Sequence, residues 1–165
     1  TIMHIIKKNN LLFMTKNLNI YVATMTGTAL MVADEIEDFC KTEGIKTNIV
    51  EMDALEPKNL EDLNAPILIV SSTYGQGDVP DGSKNFYNNL KSSNMSLEHI
   101  KYAVFGLGDM TYKDTFAYGG KKFDHLFLEL KANRIGEPFY HDASDGSLPE
   151  EEAVNWFKEK IFKLL

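Results

Sequence analysis

The stretch Ile20-Tyr-Val-Ala-Thr-Met-Thr-Gly-Thr-Ala-Leu30 decides how this chain is read. Leu18 to Ala23 is an apolar run of strand length. It breaks into Thr24-Met25-Thr26-Gly27-Thr28, after which Leu30, Ala33, Ile36 and Phe39 recur at helical spacing. Strand, short polar loop and helix together aim the unpaired N–H groups of the first helical turn at an anion. Thr24, Thr26 and Thr28 can add hydroxyl donors, and Gly27 offers a backbone with no Cβ in the way. The loop holds no Lys or Arg. A nucleoside triphosphate site would use Gly-x-x-x-x-Gly-Lys-Ser/Thr, with the lysine on the terminal phosphates. A dinucleotide site would use Gly-x-Gly-x-x-Gly. Neither pattern is present, and a cation-free loop of hydroxyls and amides suits a monophosphate. The plainer alternative is a threonine-capped helix after a strand.

Two further stretches weigh against that alternative. Ser71-Ser-Thr-Tyr-Gly-Gln-Gly-Asp-Val-Pro-Asp81 follows the apolar run Ile67 to Val70. Phe105-Gly-Leu-Gly-Asp-Met-Thr-Tyr-Lys-Asp-Thr-Phe116 grows out of the run Tyr102 to Phe105. Each is a Gly-rich loop carrying a tyrosine. Three such loops at the carboxyl ends of three parallel strands converge on one crevice. With these loops in this order, the sequence resembles the flavodoxin family from residue 18 to 165. The resemblance is nearest to MioC-type flavodoxins and the FMN modules of diflavin reductases.

The resemblance implies bound FMN. It places Thr24, Met25, Thr26, Gly27 and Thr28 at the phosphate, and Ser72, Thr73, Tyr74, Gly75, Gln76 and Gly77 in the second loop. Leu107, Gly108, Asp109, Tyr112 and Phe116 belong to the third. Tyr74 and Tyr112 are expected on the faces of the ring, where aromatic stacking holds a flat group at small entropic cost. Gly75 and Gly77 would let the backbone approach the ring edge and rearrange on reduction. Asp78 and Asp109 would place negative charge nearby, although turn chemistry explains Asp78 equally well. Asp109 stands where the reductase modules usually carry asparagine. In His141-Asp-Ala-Ser-Asp-Gly146, Asp142 and Asp145 would line the outer edge of the ring or meet a partner.

Composition sets the outer bounds. A chain of 165 residues is one domain by size, and 44% hydrophobic residues can fill its core. Acidic residues outnumber basic ones, 24 to 17, for a net charge of −7. That argues against nucleic acid and for docking an acidic surface against basic patches on partners. The single cysteine, Cys40, excludes an intramolecular disulfide and a Cys-rich metal or iron–sulfur site, and fits a reducing, cytoplasmic setting. His4, His99, His125 and His141 are scattered, and His125 is read as structural; no metal-ligand spacing or Ser-His-Asp grouping is visible. Lys7 and Lys8 follow the first apolar residues rather than precede them, so the head does not read as a signal peptide. Residues 1–16 are read as a loose extension, with Met14 as an alternative start, and residues 17–165 as the FMN-binding domain.

The remaining pattern alternates strand and helix. Strands are expected at Leu18 to Ala23, Lys46 to Glu51, Ala65 to Ser71, Tyr102 to Gly106 and Arg134 to His141. Helices are expected at Gly27 to Glu43, from about Pro80 through Leu90, at Ala117 to Lys131 and at Pro149 to Leu165. This is an α/β chain with a parallel sheet covered on both faces; the resemblance supplies five strands in the order 2-1-3-4-5. The function implied is a monomeric, membrane-free electron carrier between an NAD(P)H-dependent flavoprotein reductase and an acceptor redox enzyme. The MioC-type resemblance extends this to support of biotin synthesis. Two alternatives stand beside it. An NAD(P)H-dependent flavin or quinone reductase would need long insertions for a substrate pocket. A receiver module would need an acidic pocket where Thr24, Ser71 and Ser72 stand.

Overall fold

Residues 16–165 are described by the structure, a computed structural model. The extension read over residues 1–16 lies outside them, apart from Lys16. Strand β1 (Asn17–Ala23) leads to helix α1 (Thr28–Thr42), β2 (Lys46–Glu51), β3 (Ile67–Ser71), α2 (Lys84–Ser93), β4 (Lys101–Gly108) and α3 (Tyr118–Glu129). Two short strands, β5 (Asn133–Arg134) and β6 (Phe139–Asp142), and helix α4 (Pro149–Trp156) complete the chain. All sheet pairings are parallel, in the order β2-β1-β3-β4-β5, with β6 also on β4. The expected order and two-sided cover are therefore found.

Alternation along the strands explains both covers. On β1, Leu18, Ile20 and Val22 face one side with Val32, Ala33 and Ile36 of α1 and Ala153, Trp156 and Phe157 at the chain's end. Tyr21 and Ala23 face the other, with Phe86 and Leu90 of α2 and Phe123, Leu126 and Phe127 of α3. Every residue of β3 is buried, as a central strand with helices on both faces requires.

Two expected elements differ. The edge strand read as Arg134 to His141 is split: β5 pairs with Lys101 and Tyr102, and β6 with Phe105 to Gly108. Between them lie Gly136, at φ 68°, and Pro138, which has no N–H for a ladder. The helix read to Leu165 is α-helical only to Trp156; Phe157–Ile161 form a wider π turn and Phe162–Leu164 a 3-10 turn. The rings of Phe157 and Phe162 both meet Phe39 edge-on, at 6.0 and 5.5 Å. Residues five apart share a face in a π turn, so the widening lets both reach one ring. Leu164, in this last turn, is exposed.

A polar clamp holds α3 to the sheet edge. The Tyr102 hydroxyl donates to Asp124 Oδ1 at 2.8 Å, and Arg134 Nη1 donates to Asp124 Oδ2 at 2.7 Å. Burial, reinforced by the Asp124 hydrogen bond, pushes the Tyr102 pKa upward. His125 points away from this face, exposed, with Nε2 3.1 Å from Glu129 one turn along α3, a contact within the helix and away from the cleft.

Candidate functional site

The loops after β1, β3, β4 and β6 gather at the carboxyl ends of the strands. The chain there turns to opposite faces of the sheet, with α1 on one and α2 on the other. They enclose a cleft of about 640 Å³, within the usual size range of small-molecule sites.

At one end stands the start of α1. Gly27 takes φ 95°, a left-handed conformation that side chains resist. The Thr24 hydroxyl accepts the Gly27 N–H at 2.9 Å and closes the loop from within. No side chain caps α1, and no acidic residue lies in its first turn. Among the described residues, the N–H groups of Thr28, Ala29 and Leu30 meet no protein acceptor. They point in the direction where a helix N-terminus favours negative charge. Met25, Thr26 and Thr28 line the cleft; Thr24 lies behind it, beside Glu51 and Gly82.

The second and third loops use their polar groups differently. Tyr74 and Asp78 exchange two backbone hydrogen bonds of 2.8 Å, making residues 74–78 a closed turn with Gly75 and Gln76 exposed at its tip. The Thr73 hydroxyl donates to the Leu107 carbonyl (2.9 Å) and accepts the Gly119 N–H (3.0 Å), tying the second loop to β4 and α3. Gly119 is required for this approach: a Cβ there would sit 2.0 Å from the Ser72 carbonyl oxygen. Asp109 accepts the Thr111 N–H at 2.8 Å, and Asp142 Oδ1 accepts the Met110 N–H at 2.8 Å. The third loop is thus pinned at its start from both sides.

The expected residues fall into two groups. Met25, Thr26, Thr28, Ser72, Thr73, Tyr74, Gly75, Leu107, Gly108, Asp109 and Tyr112 share the cleft wall. Thr24, Gly27, Gln76, Gly77 and Phe116 do not; Phe116 lies under Lys121, 5.2 Å from its ring centre. Tyr74 and Tyr112 remain 43% and 67% exposed, far more than core tyrosines such as Tyr102, so their rings are open to a ligand. The wall also includes Thr115, Ala117, His141, Ala143 and Pro149, which the sequence does not assign to a cofactor.

The carboxylates serve the loops. Burial works to raise the Asp78 pKa, but the Lys122 hydrogen bond, the Val79 N–H and the Lys122 and Lys84 charges outweigh it and hold the group below the ordinary value. Asp78 is therefore a neutralised anchor outside the cleft wall, not a free charge beside a ring. Asp142 is lowered chiefly by the Met110 N–H, and Asp145 by the Ser147 hydroxyl. Among the described residues no cluster of His, Cys, Asp and Glu could hold a metal ion.

One end of the cleft offers uncapped N–H groups and no cation; the other offers two exposed tyrosines. These donors fit a flat aromatic ligand that ends in a monophosphate. The comparisons with known proteins agree. The flavodoxin family model matches residues 20–157. The chain is 37% identical over 142 residues to flavodoxin YqcA of Escherichia coli (strain K12), covering 86% of this chain and 94% of that protein. It is 34% identical over 149 residues to the NADPH sulfite reductase flavoprotein alpha-component of Zymomonas mobilis, covering 90% of this chain and 23% of that protein. A flavodoxin mutant from Pseudomonas aeruginosa superposes with a TM-score of 0.76 at 28% identity, over 87% of this chain and 95% of that one. By its sequence, its sheet order and its loops, the chain belongs to the flavodoxin family.

Proposed function

We propose that this protein carries single electrons from an NAD(P)H-dependent flavoprotein reductase to an acceptor redox enzyme, working as a monomer in the cytoplasm. The family is one of FMN-binding electron carriers, and FMN is the cofactor. The observation that carries the reading is the two-ended cleft, with open helix N–H groups at Thr28 to Leu30 and exposed tyrosines at 74 and 112.

Bound FMN supplies the electron chemistry, accepting and releasing one electron at a time. The protein's residues bind, orient and insulate. The first turn of α1, with Thr26 and Thr28, would hold the phosphate by dipoles and hydroxyls alone. Tyr74 and Tyr112 would cover the ring faces and limit water. Thr73, Asp109 and Asp142 act one step back, fixing the loops that carry the tyrosines. No described helix is long and apolar enough to cross a membrane. The MioC-type resemblance extends the proposal to an acceptor in biotin synthesis.

The cofactor is tested by the absorbance spectrum of the purified protein, where bound oxidised flavin absorbs near ~375 and ~450 nm. Carrier and enzyme are separated by NADH turnover with quinone: the protein alone is expected to give none, and sustained turnover would refute the carrier role. Docking is tested by salt. The net charge of −7 predicts transfer from a basic reductase that slows as ionic strength rises, because charges are screened over about 8–10 Å near physiological salt. A salt-independent rate counts against charge-guided docking.

A further inference from the structure

His141 is 3% exposed yet lines the cleft. It lies at the end of β6, in register with Leu107 of β4, one step below the loop that carries Asp109 and Tyr112. Its Nε2 lies 2.9 Å from the Ser147 hydroxyl and 3.2 Å from the Ser147 carbonyl. The hydroxyl donates its only hydrogen to Asp145 Oδ1. Hydroxyl oxygen and carbonyl oxygen are then both acceptors toward the ring, so Nε2 carries the hydrogen. In the neutral ring that leaves Nδ1 with a lone pair. Nδ1 has no protein partner among the described residues, and it is not among the polar atoms sealed from solvent. His141 lines the cleft, so a ligand there is the candidate partner for this lone pair.

An acceptor with a fixed tautomer on the floor of the cleft needs a donor from the ligand. The phosphate offers none as a dianion. The floor between Thr28 and the third loop is where a chain joining phosphate to ring would run, and that chain is a polyol. We infer that His141 is a further cofactor-binding residue, whose Nδ1 accepts a hydrogen bond from a hydroxyl of the polyol chain, with Ser147 and Asp145 as positioning residues that fix the tautomer. The inference rests on the flavin reading above.

The test titrates apo-protein with FMN, with riboflavin and with lumiflavin, the ring without the polyol, followed by quenching of flavin fluorescence. His141→Leu is expected to weaken FMN and riboflavin by about three- to tenfold, the loss of one neutral hydrogen bond, and to leave lumiflavin unchanged. His141→Asn keeps an acceptor near the Nδ1 position and is expected to restore most of that loss. His141→Gln keeps a donor toward Ser147 instead and is expected to restore none of it. Equal weakening of all three flavins, or no change in any, overturns the inference. Should His141→Leu not fold, the Asn and Gln variants carry the same comparison, and Gln binding riboflavin better than Asn overturns it. Wild-type apo-protein that binds none of the three flavins removes the flavin reading itself, a failure visible before any variant is made.

Discussion

The two ends of the cleft treat hydrogen-bonding groups in opposite ways. At residues 24–30 the helix start is left uncapped and its N–H groups lack protein acceptors. At residues 72–78 and 109–116 the polar groups are tied into the protein: Thr73 to Leu107 and Gly119, Asp78 to Lys122, Asp109 to Thr111, and Asp142 to Met110. The first end is built to be completed by a ligand, whereas the second is complete without one and presents shape. Removing a group should therefore reveal which end it belongs to. Loss at the open end should discriminate between ligands with and without a phosphate; loss at the closed end should not.

The strongest break in the comparison is Gly119→Ala. The added Cβ would lie 2.0 Å from the Ser72 carbonyl oxygen and 3.1 Å from Thr73 Cα, with backbone on both sides and little room to give. The second loop and α3 must separate, at a cost of about 2–3 kcal/mol, the upper part of the overpacking range. For a domain of this size that lowers Tm by roughly 5–10 °C. Thermal unfolding measures it, and flavin binding should fall alike for FMN and riboflavin. An unchanged Tm would mean that α3 does not brace the second loop.

Two threonines sharpen the contrast. Thr26→Ala removes a hydroxyl at the open end and should weaken FMN by about 1.5–3 kcal/mol, the worth of one hydrogen bond to a charged group, with riboflavin almost untouched. Thr73→Val removes two internal hydrogen bonds at the closed end and should cost about 1–3 kcal/mol of folding stability. Its effect on FMN and riboflavin should be equal. Calorimetric titration with both flavins and urea unfolding of both variants decide the matter. Equal flavin losses for Thr26→Ala would remove the phosphate assignment.

The same contrast explains what was legible in the sequence. The open end announces itself by what it lacks: no lysine, no acidic first turn, a glycine where the chain must go left-handed. The strands Asn17–Ala23, Ile67–Ser71 and Lys101–Gly108 are legible because helices cover both faces of the sheet and leave long apolar runs, whereas the edge strand Lys46–Glu51 has only Ile49 and Val50. The closed end was legible in its tyrosines but not in its bracing. Asp78 and Asp142 look like free charge until the fold brings Lys122 and the Met110 N–H to them. His141 carried no signal at all, since a lone histidine in a short strand has no partner at any fixed spacing. Gly136 and Pro138 mark the break in the edge strand, one by its left-handed turn and the other by its missing N–H.

The smallest expected effect concerns the tip of the second loop. Gly75 and Gly77 are both left-handed, at φ 54° and 88°, but their surroundings differ. A Cβ on Gly77 would meet Tyr118 at 2.8 Å, whereas one on Gly75 meets nothing within 4 Å. Gly77→Ala should therefore act through packing, and Gly75→Ala through backbone freedom alone. If the peptide at Gly75 turns toward the ring when the ring is reduced, a Cβ makes that turn costlier. The first one-electron potential should then fall while FMN affinity stays near normal. One neutral hydrogen bond is worth roughly 0.5–1.5 kcal/mol net, or on the order of 20–65 mV for one electron. Tyr112→Ala should move the second couple instead. Tyr112 is 67% exposed, so its loss uncovers a ring face to water and should make the more negatively charged form easier to reach, raising that potential. A redox titration followed by absorbance resolves both couples in one experiment. A first couple unmoved in Gly75→Ala would take the second-loop tip away from the ring edge, and a second couple unmoved in Tyr112→Ala would take the tyrosine off its face.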